Sequence, residues 1–113
     1  MTEKTITIQG QQHPIAFNGL ALSTYEEVSG KSFFEERFTM QKARATLIYS
    51  CIIGADEKAD IDILTLMKQA SWKEMNEAFV AAMQLCTEWF DIPAVVNSEQ
   101  PEMTDEEKAN VKN

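Results

Sequence analysis

Leu47-Ile48-Tyr49-Ser50-Cys51-Ile52-Ile53 is the most apolar stretch of the chain, and its reading decides the arrangement of the rest. It is far shorter than the ~20 residues a membrane-spanning helix needs. At helical spacing, Met40, Ala43, Leu47 and Cys51 make one stripe, and Ile48, Tyr49, Ile52 and Ile53 widen it until the helix is apolar nearly all round. A helix of that kind is central and is contacted from several sides. Thr39 is placed to cap it and Gly54 to end it, which predicts a helix through about Ile53.

Toward the N-terminus the period changes. Thr5-Ile6-Thr7-Ile8 and Ile15-Ala16-Phe17 alternate polar and apolar residues, the pattern of half-buried strands. With a turn at Gly10-Gln11, residues 4–9 and 12–18 are expected to form a hairpin. Pro14 has no N–H to give to a ladder, so its strand is an edge there. A lone hairpin is marginal in water. Ile6, Ile8, Ile15 and Phe17 are therefore expected to pack on the helices. Asn18 is a cap for a helix over about 19–29, with Leu22, Tyr25 and Val28 inward and Gly30 at its left-handed end. Phe33 and Phe34 follow in a short connection that must bury at least one ring.

Toward the C-terminus, Asp60 is a candidate cap for a short helix over about 61–69, with Ile61, Ile63, Leu64 and Met67 inward. Ser71-Trp72-Lys73-Glu74 has the form of a capping box, in which the serine oxygen takes an amide and the glutamate returns to the cap amide. It opens a helix over about 72–91 with Trp72, Met75, Phe79, Ala82, Met83, Cys86 and Phe90 as its apolar stripe, and Asp91-Ile92-Pro93 ends it. Trp89 lies seventeen residues after Trp72, about 100° away around the helix, so the two rings cannot share one stripe and one is left for a partner. From Asn97 onward there is no aromatic residue, and acids dominate. This predicts a disordered acidic tail over 94–113.

The expected fold is thus α+β, mainly α: an N-terminal β-hairpin packed on a bundle of about four helices, forming a single domain over 1–93. At 113 residues the chain has room for one domain. Ten Lys and Arg against eighteen Asp and Glu give a net charge of −8. That balance argues against a nucleic-acid phosphate binder and against docking on an anionic membrane. Met1-Thr2-Glu3-Lys4 lacks a basic and then apolar leader, and Cys51 and Cys86 each sit inside an apolar helical pattern. Both features predict a cytoplasmic protein with reduced, buried thiols.

The search for chemistry returns little. His13 is the only histidine, so no zinc constellation is available. A calcium loop counted from Asp56 puts Lys58 at position 3, Ile61 where glycine is needed and Met67 where glutamate is needed. Glu26-Glu27 and Glu35-Glu36 are adjacent pairs that diverge on a helix. The glycines at 10, 19, 30 and 54 make no phosphate loop, and no Asp-Ser-Leu carrier motif is present. No catalytic residue, metal ligand or cofactor is predicted, and the chain is not expected to be an enzyme.

The order of elements, with Ile6-Thr7-Ile8, Ile15-Ala16-Phe17-Asn18, the segment Leu20 to Phe34 containing Glu27-Val28-Ser29-Gly30-Lys31-Ser32, and Leu47 to Gly54, resembles the tail assembly chaperones of long-tailed bacteriophages. The Met- and Trp-bearing last helix and the acidic tail are not diagnostic of that family. The resemblance implies a non-enzymatic assembly factor in the host cytoplasm. Such a factor holds the tape measure protein soluble, recruits tail tube protein, and is often made in two lengths through ribosomal frameshifting. A protein that coats a long client is expected to self-associate weakly through leftover apolar surface, with Phe33, Phe34 and Trp89 as the partner-binding candidates. The alternative is a small acidic inhibitor, or nucleic-acid mimic, occupying a basic site on a host protein.

Overall fold

A computed structural model describes residues 4–91. Two strands, β1 (Lys4–Ile8) and β2 (Gln11–Ile15), form an antiparallel hairpin in which Ile8 faces Gln11 and Lys4 faces Ile15. The turn is Gln9-Gly10, one residue earlier than expected. Both residues take positive φ, 52° and 78°, the backbone that matches a two-residue turn to the twist of its strands. Counting from that turn, Pro14 falls opposite Thr5 in a pair that does not exchange hydrogen bonds, so its missing N–H costs the ladder nothing. Ile6, Ile8, Ile15 and Phe17 are all buried, as the alternation predicts.

Four helices follow: α1 (Gly19–Ser29), α2 (Gln41–Ala55), α3 (Ile63–Gln69) and α4 (Trp72–Phe90). A short 3-10 turn, Phe33–Glu35, lies between α1 and α2. The architecture is α+β and mainly α, a hairpin laid on four helices. The tail expected over 94–113 lies outside the described residues. Among the described residues no helix is long and apolar enough to cross a membrane.

The central helix is α2. It packs against α1, α3, α4 and β2, and Leu47, Ile48, Cys51 and Ile52 are buried. Its buried hydroxyls are satisfied within the helix: Thr46 donates to the Lys42 carbonyl at 2.7 Å and Ser50 to the Thr46 carbonyl at 2.8 Å. The bounds differ from expectation at both ends. Met40, not Thr39, precedes the first turn, and it makes no side-chain cap. Gly54 does not end the helix but lies within it. A Cβ there would stand 2.5 Å from the Ala16 carbonyl oxygen and 3.0 Å from the Ala21 Cβ. Around it, Ala16 N–H donates to the Cys51 carbonyl at 3.0 Å and Asn18 Nδ2 to the Gly54 carbonyl at 3.1 Å. The glycine is the point where the chain leaving the hairpin crosses α2 in close contact.

Three helical faces are rotated from those expected. In α1, Ala21 and Tyr25 are buried while Val28 is exposed, because the returning segment around Phe33 and Phe38 covers Tyr25 and not the last turn. In α3 the cap is Asp62, whose Oδ1 accepts the Thr65 N–H at 2.7 Å. The face turned inward carries Leu66, and Leu64 and Met67 are exposed. In α4 the capping box forms as read, with Glu74 N–H donating to Ser71 Oγ and Ser71 N–H to Glu74 Oε1, both at 3.1 Å. Its inward stripe, however, is Met75, Ala78, Ala82, Leu85 and Cys86. Trp72 is 68% exposed, and Phe79, Met83 and Phe90 are half-buried at the edge. The small alanines face α2 and β1, whose approach they permit. The bulky residues that suggested a core stripe sit around the corner.

Candidate functional site

All six phenylalanines, with Tyr25 and Trp89, form one connected set of rings. Phe17 leaves the hairpin and meets Phe33 at 5.5 Å, Trp89 at 5.5 Å and Phe90 at 5.6 Å. Phe33 stacks on Phe90 at 5.8 Å. These rings come from four separate segments, and their mutual contact fixes the end of the molecule where α4 finishes.

The three candidate residues divide within this set. Phe33 is 8% exposed and is a core ring, so it offers nothing to a partner: burial by Phe17, Tyr25, Phe38 and Phe90 corrects its assignment as a contact residue. Phe34 is 71% exposed and touches the set at Phe90, 5.4 Å away, and at its neighbour Phe33, 5.8 Å away. Trp89 is 47% exposed and lies edge-on to Phe90 at 5.0 Å. On the helical wheel Trp89 points with the inward stripe of α4, yet it lies one turn beyond the last element that covers that stripe. Phe34, Trp89 and the half-buried Phe90 thus make one apolar patch.

The outer face of α4, missed in the sequence, is the second apolar surface. Phe79, Val80, Met83, Gln84, Thr87 and Glu88 line a shallow depression there, and Trp72 extends the face toward the helix start. Arg44 lies over the Phe79 ring at 5.0 Å and donates to the Phe38 carbonyl at 2.8 Å, closing one flank. The signal was present as spacing, since Trp72, Phe79, Met83 and Phe90 recur at helical intervals. Bulk at helical spacing reads equally as core, and only the packing of Ala78 and Ala82 inward separates the two.

The titratable groups are tied into structure. The buried Tyr25 hydroxyl donates to Glu36 at 2.5 Å. Burial and that bond push the Tyr25 phenol up, and the same bond holds the Glu36 carboxyl below its ordinary range, with Lys31 at 3.9 Å helping. Burial pushes the Cys51 thiol far up and the Cys86 thiol to about 12, so both stay protonated and poor nucleophiles. His13 lies on the hairpin opposite Ile6. Asp56 and Asp62 turn their carboxylates onto the Lys58 and Thr65 amides of their own loop and helix. Among the described residues no three His, Cys, Asp or Glu side chains converge in a way that would hold a metal ion. What the surface presents is apolar contact, at the aromatic patch and along α4. No protein family, curated protein or solved structure matches this chain.

Proposed function

We propose that this chain is a non-enzymatic tail assembly chaperone of a long-tailed bacteriophage, acting in the host cytoplasm to hold the tape measure protein soluble and to recruit tail tube protein. The observation that carries the reading is the patch of Phe34, Trp89 and Phe90, apolar and aromatic, on a chain of net charge −8. A holding protein needs adhesive surface for a helical client and enough charge to stay dispersed while showing it. The hairpin followed by helices in the order of that family supports the same reading. The alternative of an acidic mimic needs carboxylates held together on one face, and among the loop acids Asp56 and Asp62 each give an oxygen to a backbone amide of their own loop or helix.

The test is co-expression with the tape measure protein of the same genome. The parent chain is expected to raise its soluble fraction, and a Phe34→Ala, Trp89→Ala double variant to lose that effect while keeping the parent's thermal unfolding midpoint within a few degrees. An unchanged soluble fraction with the parent chain overturns the reading.

A further inference from the structure

The outer face of α4 reads nearly the same from both ends. At 100° per residue, Phe79, Trp72, Phe90, Met83, Asn76, Thr87 and Val80 fall in that order within one arc of about 100°, turned about 110° from the inward stripe. Lys73, Gln84, Glu77 and Glu88 lie beside them on one flank. Reversing the helix matches like with like: Trp72 with Phe90, and Phe79 with Met83. It also matches Asn76 with Thr87, a donor amide with a hydroxyl, and it sets Lys73 against Glu88 and Glu77 against Gln84. Each of these pairs straddles Ala81 within half a residue.

We propose that two copies of this chain pair antiparallel through the outer faces of their α4 helices, about a twofold axis beside Val80. A face-to-face antiparallel pair related by a twofold axis brings the same flank of each helix together with the direction reversed. Lys73 of each copy then meets Glu88 of the other, and on this flank no two like charges oppose. Among the described residues Lys73 pairs with Glu77 at 3.9 Å, both side chains largely exposed, a weak contact that is free to exchange. Val80, 48% exposed, meets its own copy on the axis. A parallel pair is disfavoured because its twofold axis runs along the helices and puts the Lys73–Glu88 flanks of the two copies on opposite sides of the seam, where the charge match is lost. The helix is about 28 Å long, and opposed helix dipoles favour the reversed arrangement. This pairing rests on α4 alone and stands whether or not the chain holds a tape measure protein.

The register makes it testable by cysteine placement on the full chain. Native Cys51 and Cys86 are buried and do not compete. Under mild oxidation of folded protein, Val80→Cys is expected to give a disulfide-linked dimer. Asn76→Cys alone is not, but an equal mixture of Asn76→Cys and Thr87→Cys is. Sedimentation over a wide concentration range gives the second reading. Glu88→Lys is expected to weaken the dimer about tenfold, and the added Lys73→Glu to restore it. A parent chain that stays monomeric at every concentration overturns the proposal. So does Asn76→Cys linking to itself, which marks a parallel pair, or a Glu88→Lys defect that the second swap does not repair.

Discussion

Helices α2 and α4 carry comparable apolar content and use it differently. In α2 the large residues Leu47, Ile48 and Ile52 point into neighbours on every side, and the place where a small residue matters is Gly54, under the crossing chain. In α4 the inward stripe holds Ala78 and Ala82, while Trp72, Phe79, Met83 and Phe90 stand beside it or outside it. The comparison teaches that residue size does not mark the inward face. Where a helix must lie close against a strand and another helix, small residues face in, and large ones are displaced to a surface free for another use.

Substitutions test this contrast directly. The largest effect is expected for Ile52→Ala, at 1% exposure a fully buried α2 position: a loss of about 2–5 kcal/mol through lost burial and a cavity. A denaturant midpoint equal to the parent's would place α2 at the periphery and dissolve the contrast. Next comes Gly54→Ala. Helix propensity alone favours alanine by about 1 kcal/mol, but a Cβ 2.5 Å from the Ala16 oxygen forces the crossing apart. The net expectation is a loss of about 1–3 kcal/mol, and a gain in the same denaturation experiment would show that the crossing is loose.

For α4, Ser71→Ala is expected to cost about 1 kcal/mol by removing the cap. Glu74 is held below the ordinary glutamate range by the Gln9 and Ser71 amides, at 2.9 and 3.1 Å. Its folded-state value is depressed, so its contribution is present above the unfolded glutamate range and is lost as pH falls through the folded value. Thermal scans from pH 7 downward should therefore show the gap between parent and Glu74→Gln narrowing in acid. The smallest effect sharpens the comparison most: Trp72→Ala, for all its bulk, should shift stability by less than about 0.5 kcal/mol at concentrations where the chain is monomeric. A loss near that of Ile52→Ala would mean that the outer face of α4 is covered within the single chain.

Much of the fold was legible because its signals are local. Asn18, Gly30 and the Ser71–Glu74 box satisfy backbone groups three or four residues away, so neighbouring sequence determines them, and each acts in the structure as read. The hairpin alternation and the apolar belt of α2 were equally plain. The candidate site was only partly legible. That one ring of Phe33 and Phe34 must be buried followed from their placement in a short connection. Which one followed from Phe17, Phe38 and Phe90, distant in sequence, which close over Phe33 and leave Phe34 outside.

What the sequence by itself determined, then, is which elements occur, in what order and of what type, and that α2 lies at the centre, with bounds good to within a few residues. Caps, turns and periodicity are properties of a few consecutive residues and their own hydrogen bonds. What only the tertiary structure decided is which face of each remaining helix turns inward, why residue 54 is glycine, and which tryptophan stands most exposed. Those outcomes depend on how closely two backbones approach: the inward stripe that α4 turns toward β1 and α2 includes the small residues Ala78 and Ala82, and the hairpin exit crosses α2 at Gly54, where no Cβ intervenes.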